Sequence, residues 1–305
     1  SFSLGGARAD APGQTVDDVI GRVGDAVQTA QDHGGGRSEW LNRIRNDDLV
    51  TPEVRLAHAI LRRPLIADTT QFRFRSLLPL RGQLSSQYLA DFALTAPKAS
   101  NALRIERETF LPIARSLNVM RAVDRWQVHA LGQRACQESA SQPELRVLLP
   151  MSIDTLFDPA FPQWLSADLH GLQCDADTLA LVFDASQLAD DVPRASRALE
   201  LIQTAGVRLC LSGFTDFGRD QQRLCRLPGV YANLLDWTAA APGWRELRAR
   251  LIAESLKHGK LVVMCGVDEP SPLGDLFRDG VHYVVGDALG PWGPTLTAAA
   301  APVRV

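Results

Sequence analysis

Few side chains in this chain have types and spacings that could do chemistry. Its five cysteines, Cys136, Cys174, Cys210, Cys225 and Cys265, are scattered, and no CxxC or Cys/His pair has zinc-ligand spacing. They read as reduced, mostly buried thiols of a cytoplasmic protein. The histidines, His33, His58, His129, His170, His258 and His282, show no HxxxH or HxH spacing, so each reads as a surface or helix residue. No GxGxxG phosphate loop and no GxSxG elbow occurs, which leaves a dinucleotide fold and a serine hydrolase without support. Arg75 and Trp292 carry a binding chemistry: a guanidinium suits a phosphate and an indole suits a base. The plainer reading has Arg75 snorkelling at a strand end and Trp292 packed on a rim.

The elements that must position such residues follow from apolar patterning. From about residue 70, short apolar runs alternate with amphipathic stretches. Strands are expected at Phe72–Leu80, Leu145–Leu149, Leu179–Phe183, Val207–Leu211, Gly229–Leu235, Leu261–Cys265 and Tyr283–Gly286, apolar as strands covered on both faces should be. Helices are expected at Ala114–Glu138, Val192–Ala205 and Trp244–His258, with Gly206 and Gly259 closing the last two. This alternation implies a parallel α/β barrel or a doubly wound sheet. The opening residues differ: a helix over Val16–Asp32 runs into Gly34-Gly35-Gly36, a second short helix follows, and Pro52 opens a third that Pro64 closes. With 46% hydrophobic and 22% charged residues a sizeable core can be buried. A net charge of −3 gives no footprint for a nucleic-acid backbone. No apolar run approaches the roughly 20 residues that span a bilayer, so no membrane insertion is expected. Ser1–Gly6 lacks the pattern of a signal peptide, and the chain is expected to be cut from a longer one.

Gly206-Val207-Arg208-Leu209-Cys210-Leu211-Ser212-Gly213-Phe214, continuing to Arg226-Leu227-Pro228, resembles without a gap the DDFG-containing core segment of EAL domains. Phe110–Ala114 with Asp124-Arg125-Trp126, then Gly266-Val267-Asp268, then Asp279–Gly286 match further family segments in the right order. The resemblance covers about residues 70–292. It implies an EAL-type TIM-like β/α barrel whose first strand runs antiparallel. Ser3–Ala7 and Arg22–Arg37 resemble the tail of a GGDEF domain. The implied division is a GGDEF remnant over 1–37, a linker or connecting helix over 38–68, and a degenerate EAL domain over 69–305.

Active members of the family are cyclic-di-GMP phosphodiesterases that use two cations, and hard cations need converging oxygen ligands. The resemblance places the ligand and base positions on Leu89, Leu148, Val182, Ser212, Gly213, Asn233 and Cys265, with Val285 at the late glutamine. Only Asp268 keeps a charge of the family's type. Asp91 reads as a strand-end or capping residue and Asp216 as a solvated loop acid. The phosphate-binding arginine falls on Ala93. The expectation is therefore a non-enzyme without metal or cofactor, its site made drier by the hydrophobic replacements. It would act as a protein-interaction scaffold in cyclic-di-GMP-linked signalling, through itself, a PilZ-type adaptor or a pilus or motility component. The alternative is a metal-independent cyclic-di-GMP receptor using a residual pocket of Arg75, Asn233, Asp268 and Trp292. A weak phosphodiesterase comes last. The rewritten loop Thr215–Gln222 argues against the family's usual dimer.

Overall fold

The computed structural model of the chain describes residues 4–7, 20, 23–24, 26–27, 38–41, 51–81, 86–96, 103–142, 144–237, 243–287 and 289–296. Along the chain the strands are β1 (Leu4–Ala7), β2 (Ser38–Leu41), β3 (Thr70–Ser76), β4 (Leu78–Pro79), β5 (Gln87–Thr95), β6 (Arg104–Ile105), β7 (Arg146–Pro150), β8 (Leu179–Asp184), β9 (Arg208–Ser212), β10 (Val230–Asp236), β11 (Leu261–Cys265) and β12 (Tyr283–Val285). Two compact units result: Ser1–Gln71 with Phe92–Val123, and Phe72–Asp91 with Asp124–Val305.

In the first unit β1 and β2 pair in parallel, Gly5 opposite Glu39 and Gly6 opposite Trp40. Of the stretch after Gly36 where a short helix is expected, Ser38–Leu41 form β2, and residues 42–50 lie outside the described residues. Of the expected helix Val16–Asp32, Ile20, Val23, Gly24, Ala26 and Val27 are helical, and the rest lies outside the described residues. The helix Pro52–Leu61 starts as its sequence dictates: Thr51 Oγ1 accepts the Val54 N–H (3.3 Å) and Pro52 fills the first turn. Its Ala57, Ile60 and Leu61 are buried, and it packs against the helix Arg107–Ser116. The single helix expected at Ala114–Glu138 is two. Asn118, at φ 57, ends the first, and a new helix runs Met120–Ser139. Asparagine tolerates that left-handed backbone better than most residues.

The main sheet runs in the order β3-β5-β7-β8-β9-β10-β11-β12-β4. Strands β5 to β12 along this path pair in parallel, and β4 pairs antiparallel with β12, Leu78 opposite Val284. Because β3 and β4 are two halves of one strand broken at Leu77, that strand brings the ends of the sheet together into a nearly closed barrel with its first strand antiparallel, as the resemblance implies. Side chains alternate along each strand. One set, including Leu149, Leu181, Leu211 and Met264, packs with helical residues such as Val128, Leu165, Leu199 and Ile252. The other set fills the interior. The Asp124-Arg125-Trp126 motif is structural: Asp124 Oδ2 accepts from Ser152 N (2.9 Å) and Oγ (2.5 Å), Arg125 pairs with Asp158 (2.9 Å), and Trp126 stacks on Phe72 (5.6 Å).

Candidate functional site

Of the positions that the resemblance assigns to catalysis, Leu89, Leu148, Val182, Cys265 and Val285 converge, and they converge without an oxygen donor. Leu148, Val182 and Val285 belong to one buried interior cluster with Leu77, Ala180, Cys210, Ala232, Leu234, Val263 and Tyr283; Leu89 and Cys265 pack against it. Every one of the parallel barrel strands contributes, at every second residue. Burial, and then the nearby Asp236, push the Cys265 thiol up to about 12, so it stays protonated at neutral pH. Oxygen donors for two hard cations are not in this set, so these residues do not fit the metals that the barrel type implies. Among the described residues no three His, Cys, Asp or Glu side chains come together as a metal site.

Gly213 and Ser212 sit at the end of β9. Ser212 lies opposite Asp184 on the neighbouring strand. Gly213 has φ 68, and a Cβ there would stand 2.2 Å from Asp184 Oδ1. That carboxylate is committed, since Oδ1 accepts from Ser186 N (2.8 Å) and Oγ (2.6 Å). An aspartate at 213 therefore has neither the backbone nor the space. The loop after it is held by Gln221, whose Oε1 accepts from Thr215 N (2.9 Å) and Asp216 N (3.2 Å). Asp216 is an exposed loop acid that accepts from Gly218 N (2.6 Å), as its sequence reading has it.

Asn233 is a correction. It does not face the interior and joins no pocket with Arg75, Asp268 and Trp292. It is fully buried on the helical side, where Nδ2 donates to Ser255 Oγ (2.9 Å) and Cys225 O (3.3 Å). The cause is an irregularity in β10: its register to β9 shifts between Val230 and Ala232. Such a bulge inserts one residue and reverses the facing of everything after it. Leu234 therefore takes the inward position.

The other three residues of the expected pocket do meet, at the rim. Arg73 and Arg75 share one indole, each guanidinium carbon 4.6 Å from the Trp292 ring centroid. Trp292 is placed by its neighbour: Gly293 and Phe74 exchange backbone hydrogen bonds of 2.7 and 2.8 Å across an antiparallel bridge. Arg75 pairs with Asp287, whose N–H donates to Asp268 Oδ1 (2.7 Å). Arg73 donates through Nε (2.9 Å) and Nη2 (2.6 Å) to Asp91 Oδ2. So Asp91 is not a cap or a strand end: it lies inside β5 as an ion-pair partner. Nor does Arg75 merely snorkel, since its side chain is only 11% exposed. The sequence reading missed Arg73 and Asp287. Their signal was the period of two, in Phe72-Arg73-Phe74-Arg75 and in Val285 followed by Asp287. Ala93, at the expected phosphate contact, is fully buried in the first unit.

Residues 79–291 match the family model of the EAL domain. The chain belongs to the EAL domain family. Across 294 residues it is 20% identical to an uncharacterized 76.5 kDa protein of Thiocystis violacea, covering 95% of this chain and 41% of that protein. Over 138 residues, 45% of this chain and 18% of the relative, it is 26% identical to the cyclic di-GMP phosphodiesterase PdeF of Escherichia coli. The chain thus spans less than half the length of either relative. The crystal structure of the FimX EAL domain from Pseudomonas aeruginosa bound to c-di-GMP superposes with a TM-score of 0.68 at 17% identity, covering 82% of this chain and 99% of that one. The apo S helix-GGDEF-EAL structure of LapD from Vibrio cholerae gives 0.62 at 12% identity, covering 90% of this chain and 65% of that one. At these identities the likeness establishes the EAL fold. Among the described residues no helix is long and apolar enough to cross a membrane.

Proposed function

We propose that this EAL domain is non-catalytic and serves cyclic-di-GMP-linked signalling as a protein-interaction scaffold or regulator. The observation that carries the reading is the interior cluster, in which Leu89, Leu148, Val182, Leu234, Cys265 and Val285 meet where hydrolysis would need oxygen ligands and a base. Packed hydrocarbon there stabilises the barrel and does no chemistry, as expected of a domain kept for its surface. Partners of this reading are a second copy, a PilZ-type adaptor or a pilus or motility component. Residues 1–37 would be the end of a GGDEF domain. Residues up to 68 connect it to the EAL domain at 69–305, and the likeness to the LapD fragment supports this order.

One observation favours a second reading, a cyclic-di-GMP receptor that needs no metal. The rim presents two guanidiniums and an indole together, and the buried Arg75 Nε has no hydrogen-bond partner among the described residues. Isothermal titration of cyclic-di-GMP, with magnesium and again with EDTA, tests both. No heat at about 100 µM dinucleotide leaves the scaffold. An equal isotherm in both buffers, with Kd below about 10 µM, makes it a receptor. Magnesium-dependent hydrolysis of the dinucleotide would overturn both readings.

A further inference from the structure

Two thiols on the helical layer of the second unit come from separate elements and meet. Cys136 lies near the end of the helix Met120–Ser139, and Cys174 follows the helix Phe161–Leu172. The latter helix ends at Gln173, in the left-handed region at φ 55 and ψ 33. There the Gln173 N–H returns to His170 O (3.1 Å) and the Cys174 N–H to Leu169 O (3.1 Å). This closure turns the chain sharply and sends Cys174 back against the first helix.

Each thiol reaches the backbone beside the other. Cys136 Sγ donates to Gln173 O (3.3 Å), next to Cys174. Cys174 Sγ donates to Gly132 O (3.7 Å), one helical turn before Cys136. Gly132 permits this approach, because a Cβ there would stand 2.9 Å from Leu172 Cδ1. Burial, and then the neighbouring Cys136, push the Cys174 thiol up to about 12. Cys136, Cys174 and Cys265 are half-buried, whereas Cys210 and Cys225 are buried.

We propose that Cys136 and Cys174 are a redox pair that closes to an intramolecular disulfide on meeting a hydroperoxide. Burial disfavours the Cys174 thiolate, so the first attack is assigned to the Cys136 sulfur. That sulfur takes one oxygen of hydrogen peroxide as the O–O bond breaks; the hydroxide released leaves as water, and Cys136 becomes a sulfenic acid. The Cys174 sulfur then attacks that sulfur: the S–S bond forms, the S–O bond breaks, and the thiol proton leaves with the hydroxyl as water. The sum is two thiols and one hydrogen peroxide giving a disulfide and two waters. The bond would close a loop that carries β7, and a long closed loop constrains the unfolded chain strongly. A dithiol reductant reverses it.

The test is non-reducing peptide mapping of the whole chain after hydrogen peroxide. The expected product joins the Cys136 and Cys174 peptides, lighter by two hydrogens than their sum, and dithiothreitol returns both to alkylation. The thermal midpoint should rise by several degrees on oxidation, in the parent and in Cys265→Ser but in neither Cys136→Ser nor Cys174→Ser. A sulfinic acid at Cys136 beside a free Cys174 overturns the proposal. So does a bond from either residue to another cysteine, or a disulfide-linked dimer on a non-reducing gel.

Discussion

The barrel interior and the rim just above it are built by the same strands, yet they hold opposite chemistry. Inside, Leu89, Val182 and Leu234 present hydrocarbon. Two residues further along the same strands stand Asp91, Asp184 and Asp236, and beyond β11 and β12 come Asp268 and Asp287. Acids are thus present at this end of the barrel, but they do not act together. Asp91 is spent on Arg73, Asp184 on its own helix cap and Asp287 on Arg75. The difference teaches that a metal site is a matter of convergence. Carboxylates that each hold a local partner need no cation, and a dry interior below them could not share one.

The strongest way to break this contrast is to return a carboxylate to the interior. Val182→Glu should lower the unfolding free energy by about 3 kcal/mol or more, because the charge has no partner in the cluster. Urea titration measures it. A variant as stable as the parent, or one stabilised by magnesium, would mean that the interior is still a ligand site.

Gly213→Ala examines the junction between interior and rim. The left-handed backbone and the displaced Asp184 cap should together cost about 2 kcal/mol, read as a lower denaturation midpoint at unchanged m. A neutral effect would mean that Asp184 is free to move and that a second acid could be accommodated beside it.

On the rim, Trp292→Ala should cost about 1 kcal/mol through two lost cation–π contacts. In a double-mutant cycle with Arg75→Met the two effects should be non-additive. Simple additivity would dissolve the rim cluster into independent surface residues.

The smallest effect lies at the opposite end of β12, where His282 Nδ1 accepts the Val262 N–H (3.1 Å) just before the ladder of β11 and β12 begins. Burial, and then the Arg81 guanidinium, hold this imidazole below its usual 6.5. The unfolded chain therefore takes up the proton first. Its stability contribution is complete above pH 6.5 and is lost as the pH falls below it. His282→Asn, which keeps an acceptor, should flatten that slope in thermal melts between pH 7 and pH 5, which leaves the rim and interior effects unchanged.

The apolar runs gave β3, β4 and β7 to β12 to within a residue or two, since a strand covered on both faces must be hydrophobic throughout. The same patterning overlooked β5, whose run Gln87-Tyr88-Leu89-Ala90-Asp91 is broken by a carboxylate that pairs with Arg73. That Leu89, Leu148 and Val182 offer no oxygen donor was legible from residue type alone, for no fold turns a methyl group into one. Which way Asn233 faces was not: a one-residue bulge reverses the pleat, and nothing in Tyr231-Ala232-Asn233-Leu234 announces it. The meeting of Arg73 and Arg75 with Trp292, more than two hundred positions later, was also decided in three dimensions, because barrel closure sets the last segment beside the first strand. Sequence fixes what each side chain can do; the register and closure of the barrel fix which of them act together.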